Sequence, residues 1–108
     1  MFPFLDLASL NLRDEPALTE AFQRVLRSGW YVLGEEVSAF EAEYAAVCGV
    51  PYAIGVGNGL DALTLILRGY RSLGRLKLED EIILPDNSFI ATALAVSEAG
   101  MQPVLVEP

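Results

Sequence analysis

The stretch Gly55-Val56-Gly57-Asn58-Gly59-Leu60-Asp61-Ala62-Leu63 decides the fold, because its alternating glycines join an apolar run to an amphipathic segment. Upstream, residues 52–56 are apolar and predict a buried strand. Downstream, apolar residues recur at helical spacing and predict a helix over about residues 60–70. Glycine has no Cβ, so such a turn lets an anion approach the amides that begin the helix. The pattern suggests a phosphate site, and a plain connection without a ligand is the alternative.

The composition and net charge of the chain limit the kinds of partner that it can bind. The chain has 108 residues, 53% of them hydrophobic, which suits one core and one domain or part of one. Its 15 acidic and 7 basic residues give a formal net charge of -8. This charge repels polyanions, so we expect neither nucleic acid nor an anionic membrane as partner. A phosphate bound here must be held locally, by backbone amides.

Several absences narrow the chemistry further. The sequence contains no histidine, which excludes histidine triads and histidine metal sites within it, and we predict no metal. Its one cysteine, Cys48, excludes an internal disulfide and is interpreted as a core filler. The N-terminus lacks a signal-peptide pattern, and no apolar run approaches the roughly 20 residues of a membrane span. We therefore predict a cytoplasmic protein.

The first half of the sequence predicts a short extended arm and two helices. The arm covers residues 4–7, and Asp14-Glu15-Pro16 then begins a helix that Gly29 ends. A second helix covers residues 35–48 and stops at Gly49. Between the helices, Trp30 and Tyr31 lie in a loop bounded by glycines. They either pack against the body or contact a ligand or partner subunit.

The second half predicts two more strands and a helix. The sequence predicts a buried strand over residues 82–84 and a third strand over residues 102–106. Between them, Ser88 is the predicted N-cap of a helix that continues through about Ala99. This order predicts an α/β fold with a largely parallel sheet. We divide the chain into residues 1–50, the arm and two helices, and residues 51–108, a strand-helix-strand-helix-strand unit. Uncovered sheet edges suggest the opening part of a larger domain, with poor stability alone.

Taken in order, these segments resemble the N-terminal part of the DegT/StrS-type sugar aminotransferases, pyridoxal-phosphate enzymes of fold type I. Each segment is ordinary by itself, but their common order is specific, and together they cover nearly the whole chain. The matching segments are residues 3–7, 28–34, 40–41, 57–63, 80–83, 85–92 and 100–106.

The resemblance implies the opening part of an aspartate-aminotransferase-like large domain, incomplete in its sheet. It also implies a homodimeric enzyme that transfers an amino group, with glutamate as donor, to a nucleotide-linked keto sugar. In the family, the backbone at the positions of Gly59 and Leu60 holds the phosphate of pyridoxal 5'-phosphate, and the aromatic at Phe89 stacks on its ring. Many members carry a hydroxyl residue where this chain has Leu60.

The other residues of interest have less direct roles. Asp61, in the first helical turn, is counted with Gly59, Leu60 and Phe89 among the predicted cofactor-binding residues. It would repel a phosphate dianion if it faced the same way, so we expect it to point aside and accept from backbone or loop donors. Trp30 and Tyr31 correspond to family surface near the sugar substrate and the dimer contact. The single lysine, Lys77, precedes the second strand and is the wrong lysine for the Schiff base. In the family, that lysine and the aspartate partner of the pyridine nitrogen come after position 108. We therefore assign no catalytic residue here and expect the chain alone to be inactive.

Two other classes stay open at this stage. Residues 57–62 also satisfy the dinucleotide-binding pattern G-x-G-x-x-A, with Asp86 at the end of the next strand. About fifty largely helical residues precede this pattern, whereas a dinucleotide fold usually starts near its first strand. The third class is a non-catalytic relative that keeps a dimer surface and has lost its chemistry.

Overall fold

A computed structural model describes residues 4–108, which form two compact units, the first up to Gly55 and the second from Val56. No helix within that range combines the length and hydropathy needed to cross a bilayer. The helices are α1 (Leu7–Arg13), α2 (Glu15–Ser28), α3 (Glu35–Cys48), α4 (Gly59–Ser72) and α5 (Ile90–Glu98), and the strands are β1 (Glu81–Pro85) and β2 (Gln102–Val106).

The first unit contains α1, α2 and α3. The ends of α2 and α3 are those predicted from the sequence: Pro16 lies in the first turn of α2, and Gly29 and Gly49 follow the two helices at φ of 66° and 65°. Left-handed backbone at these positions favours glycine, which stops each helix. Arg24 of α2 donates two hydrogen bonds to the carboxylate of Glu36 and ties the two helices together.

The extended arm predicted over residues 4–7 is wrong at its end, because Leu7 already begins α1. The reason is a local cap: the Asp6 carboxylate accepts from the Ser9 amide at 3.1 Å and from its hydroxyl at 2.6 Å. These bonds satisfy a backbone donor that a helix otherwise leaves open. The matching segment over residues 3–7 begins at Pro3, which lies outside the described residues.

Two further predictions fail in this unit. Cys48 is exposed and is not a core filler, since it is the last residue of α3 and the chain turns away at Gly49. Residues 52–56 form no strand, because they find no partner strand within residues 4–108. A strand depends on hydrogen bonds to a neighbour, whatever its apolar pattern. One of its amides, that of Gly55, donates instead to the Glu41 carboxylate at 2.7 Å.

The second unit contains α4, β1, α5 and β2, and its sheet is parallel, as the sequence predicts. Ile83 pairs with Val104 at the centre of the register, and α5 forms the connection between the two strands. A small core lies between α5 and the strands, because the apolar faces of these elements meet there. Its buried members are Leu84, Val96, Ala99 and Met101.

The direction of the helices fixes which ends meet. Helix α4 packs against α5. Arg68 and Arg71, near the end of α4, donate to backbone carbonyls at the end of α5, at 3.2 and 3.0 Å. The two helices therefore run in the same direction, and their N-terminal ends lie at the same edge of this unit. Because α5 connects two parallel strands, that edge is the carboxyl end of the sheet.

Helix α5 begins one residue later than predicted. Phe89, and not Ser88, is its N-cap residue, and the Phe89 carbonyl accepts from the Thr92 amide at 2.9 Å. The Ser88 hydroxyl lies 2.7 Å from the Thr92 hydroxyl, so it bonds another side chain and not a helix amide. The loop after β1 therefore places Phe89 immediately before the first residue of α5.

Candidate functional site

The N-terminus of α4 is built by its cap residue, Asn58. The Asn58 backbone is extended, at φ of -165° and ψ of 175°, and its Oδ1 accepts from the amide of Asp61 at 2.9 Å. The Asn58 carbonyl accepts from Ala62 at 3.1 Å, which is the first bond of the helix. Asparagine is among the preferred N-cap residues, because its short side chain reaches the third helical amide.

Two amides at this end point away from the helix without a partner. Those of Gly59 and Leu60 make no hydrogen bond to any residue in the described part of the chain. Open space surrounds the Gly59 Cα, where an added Cβ would meet nothing within 4 Å. Such amides, together with the positive end of the helix dipole, form a site for an anion.

Asp61 lies in the first turn of α4, where its carboxylate is engaged. One oxygen, Oδ2, accepts from Nδ2 of Asn58 at 3.0 Å. The same oxygen lies 3.0 Å from the position that a Cβ on Gly57 would occupy. The carboxylate is therefore bonded to the cap residue, in agreement with the expectation that it accepts from loop donors.

Phe89 stands between the carboxyl end of β1 and the first turn of α5, with 79% of its surface exposed. Since α4 and α5 run in the same direction, Phe89 and the amides of Gly59 and Leu60 lie at the same edge of the second unit. An exposed aromatic ring at the same edge as unpartnered helix amides suits a flat ligand that carries a phosphate. Backbone donors for a phosphate and an exposed aromatic face for a ring are chemically compatible with pyridoxal 5'-phosphate.

Trp30 and Tyr31 belong to the first unit and line a cavity of about 600 Å³ there. Both side chains are about two thirds exposed. The Trp30 amide donates to the Ser28 hydroxyl at 3.0 Å, which fixes the start of the loop. The same cavity is lined by Arg24 and Glu36, whose hydrogen bond holds the pKa of the Glu36 carboxyl below its ordinary value.

The sequence analysis did not identify Asn58 as the residue that caps α4 at the candidate site. The signal was present in the string Asn58-Gly59-Leu60-Asp61, because an N-cap asparagine followed three residues later by an acid resembles a capping box. The reciprocal hydrogen bonds between Asn58 and Asp61 depend on side-chain conformations, which this string does not specify.

The fold is an α/β arrangement with a parallel sheet, and its candidate site lies at the carboxyl end of that sheet. The sequence profile of the DegT/DnrJ/EryC1/StrS aminotransferase family matches residues 13–108, and the chain belongs to that family. This membership supports the aminotransferase reading and not the dinucleotide-binding alternative.

Relatives with known activities agree with this assignment. The chain is 54% identical, over all of its length, to 29% of the dTDP-3-amino-3,6-dideoxy-alpha-D-galactopyranose transaminase of Aneurinibacillus thermoaerophilus. It thus spans less than a third of that relative.

Solved structures show the same fold. The crystal structure of S. venezuelae DesV, in complex with a ketimine intermediate, matches 98% of this chain and 28% of its own, at 46% identity and a TM-score of 0.85. A GDP-4-keto-6-deoxymannose-3-dehydratase with a trapped PLP-glutamate geminal diamine matches 82% of this chain and 23% of its own, at 32% identity and a TM-score of 0.74.

Proposed function

We propose that this chain is the N-terminal portion of a pyridoxal-phosphate-dependent aminotransferase that acts on a nucleotide-linked keto sugar. The observation that carries the proposal is the pair of unpartnered amides, on Gly59 and Leu60, at the same edge of the second unit as the exposed ring of Phe89. When bound, pyridoxal 5'-phosphate supplies an electron sink for amino transfer. The chain's own task is to bind and orient it.

Each residue has a distinct part in that task. The amides of Gly59 and Leu60 bind the phosphate, and the positive end of the α4 dipole favours its charge. The Phe89 ring covers one face of the cofactor ring and excludes water from it. Leu60 contributes only its backbone, since its side chain has no hydroxyl to add a bond.

The substrate assignment draws on the relatives. The transaminase at 54% identity is named for a dTDP-linked amino sugar, and the dehydratase structure holds glutamate joined to its cofactor. We assign a nucleotide-linked keto sugar as acceptor and glutamate as donor. The cavity lined by Trp30 and Tyr31, which pairs large aromatic surfaces with polar groups, is the candidate place for part of the sugar nucleotide.

The amine of the Schiff base is assigned to chain beyond residue 108. Lys77 is the single lysine and lies before β1, at the amino end of the sheet, whereas Phe89 follows its carboxyl end. Residues 1–108 alone are therefore expected to be inactive. A cytoplasmic homodimer completes the proposal.

The experiment is a cofactor titration of the full-length protein, prepared free of cofactor and followed by absorbance. We expect saturable uptake of pyridoxal 5'-phosphate and a spectral change on adding glutamate. Phe89→Leu should weaken uptake about tenfold, because an apolar side chain remains but ring stacking is lost. Tyr70→Leu, at the other end of α4, is the matched control and should leave uptake unchanged. Tight binding of NADH without uptake of pyridoxal 5'-phosphate would contradict the proposal.

A further inference from the structure

We infer that Arg24 is a positioning residue that, through its ion pair with Glu36, holds the loop of Trp30 and Tyr31 in the shape that binds the sugar nucleotide. The inference rests on the proposed function, since it concerns the cavity assigned there to part of that substrate. It adds two charged residues outside the loop on which affinity for the substrate depends. The loop comprises residues 29–34, between α2 and α3, and is called the aromatic loop below.

The ion pair joins the two helices on either side of the aromatic loop. Nε and Nη2 of Arg24, on α2, donate to the two carboxylate oxygens of Glu36, in the first turn of α3. A two-point bond of this kind fixes the orientation of both groups as well as their separation. Nη1 of the same arginine lies 3.4 Å from Oε1 of Glu20, one turn earlier on α2. The bond to Glu36 therefore sets where α3 begins relative to α2.

Gly34 connects the start of α3 to the Trp30 ring. It is the N-cap residue of α3 and stands two residues before Glu36. A Cβ on Gly34 would lie 3.2 Å from the Trp30 carbonyl oxygen and 3.4 Å from Cδ1 of the indole. The indole therefore lies against the bare backbone of Gly34. Because groups packed this closely move together, a shift of the first turn of α3 would also shift the ring.

The other end of the aromatic loop is fixed to α2. The Ser28 hydroxyl accepts from the Trp30 amide at 3.0 Å and donates to the Val25 carbonyl at 2.8 Å. The loop thus starts from a point that belongs to α2 and ends at a point that belongs to α3. Its shape depends on how these two helices are held together.

Little else holds the two helices together. Among residues 4–108, the structure shows no further hydrogen bond between α2 and α3. Large apolar side chains of both helices, such as Phe22 and Phe40, are more than half exposed, so buried packing does not replace the ion pair. Arg24 and Glu36 also line the same cavity as Trp30 and Tyr31. Loss of the pair is therefore expected to act on this cavity first.

The test measures sugar-nucleotide binding to the full-length protein loaded with pyridoxal 5'-phosphate. The probes are dTDP-glucose, UDP-glucose and GDP-mannose, which have no keto group to react, and calorimetry gives a Kd for the one that binds most tightly. Arg24→Gln and Glu36→Gln should each raise this Kd about fivefold. The double variant should lose no more than either single one, because all three remove the same bond. Exchange of the two residues, Arg24→Glu with Glu36→Arg, should recover most of the affinity, and uptake of pyridoxal 5'-phosphate should be unchanged throughout.

Arg27→Gln is the matched control. It removes the same charge from the same helix, but Arg27 donates to Gln23 of its own helix at 3.3 Å and does not line the cavity. The Kd of this variant should equal that of the wild type.

Three results would overturn the inference. If Arg24→Gln weakens binding but Glu36→Gln leaves it unchanged or tightens it, Arg24 acts on the anionic ligand by its charge and not by positioning the loop. If Arg24→Gln binds the probe as the wild type does, the inference is wrong and the proposed function stands. If the wild type binds none of the three probes, the proposed substrate class fails and the inference fails with it.

Discussion

If two backbone amides bind the phosphate, as we propose, most side-chain changes leave the site intact, and an added side-chain donor strengthens it. Leu60 is half-buried at the second position of α4, and its amide has no partner within residues 4–108. In the proposed site, a hydroxyl residue at this position would give the phosphate one hydrogen bond that the apolar side chain of Leu60 cannot give. Gly59, with open space around it, leaves room for the ligand to approach.

Leu60→Thr is therefore expected to tighten binding of pyridoxamine 5'-phosphate to the full-length protein. A new hydroxyl bond contributes about 0.5–1.5 kcal/mol, which lowers the Kd by a factor of about two to twelve. Leu65→Thr, on an exposed part of the same helix, is the control and should leave the Kd unchanged. A calorimetric Kd that is equal or higher for Leu60→Thr would argue against a phosphate at this amide.

A second residue-scale prediction concerns the ion pair beside Trp30 and Tyr31. The hydrogen bond from Arg24 holds the pKa of Glu36 below its ordinary value of 4.5. A folded-state pKa below the unfolded one stabilises the fold above about pH 4.5, and this contribution is lost as pH falls through the folded pKa. Arg24→Gln should raise the Glu36 pKa in an NMR titration. An unchanged pKa would show that the pair does not form in solution.

At the scale of elements, the end of α5 depends on arginines from α4. The Arg71 bond to the Ala99 carbonyl is partly buried, whereas the Arg68 bond to the Glu98 carbonyl is exposed. Arg71→Met should therefore lower the free energy of unfolding by about 1–2 kcal/mol, and Arg68→Met by less, because water replaces an exposed bond more readily. Urea denaturation of the full-length protein measures both free energies. Equal losses would contradict the difference in burial.

The helix ends and strands show which elements can be predicted from local sequence. Gly29 and Gly49 end α2 and α3 as predicted, because the tolerance of glycine for left-handed backbone is a local property that needs no distant partner. The second and third strands of the sequence prediction are also correct. They form β1 and β2, which pair with each other. Residues 52–56 carry the same apolar signal but form no strand. The difference is the partner strand, which residues 52–56 lack within residues 4–108 and which no local pattern reveals.

Local side-chain hydrogen bonds explain why the predicted starts of α1 and α5 are wrong. Asp6 begins α1 because Ser9 stands three residues later, a pairing that apolar periodicity does not register. Ser88 has the right chemistry for an N-cap but bonds Thr92 instead. For the site, the sequence predicted the residues at the start of α4 and the position of Phe89 after β1. It did not predict the hydrogen bonds between Asn58 and Asp61, which depend on the rotamers of the two side chains.

At the scale of the whole molecule, little of the chain is buried. In the described residues the buried hydrophobics are Ala45, Leu84, Ala95, Val96, Ala99 and Met101. Large side chains such as Phe22, Phe40 and Ile54 are more than half exposed. Hydrophobic burial is the main favourable term in folding, so a core of this size gives little stability.

Residues 1–108, expressed alone, should therefore unfold over a broad range of temperature without a cooperative transition. Calorimetry and circular dichroism together make this measurement, and the full-length protein serves as the comparison. A sharp transition of a monomer, with equal calorimetric and van't Hoff enthalpies, would contradict this expectation.

The most direct test of the central claim is a crystal structure of the full-length protein with pyridoxal 5'-phosphate bound. Our account predicts phosphate oxygens about 3 Å from the amide nitrogens of Gly59 and Leu60, with the Phe89 ring stacked on the pyridine ring. A phosphate bound away from the start of α4, or a Phe89 ring that does not touch the cofactor, would contradict it.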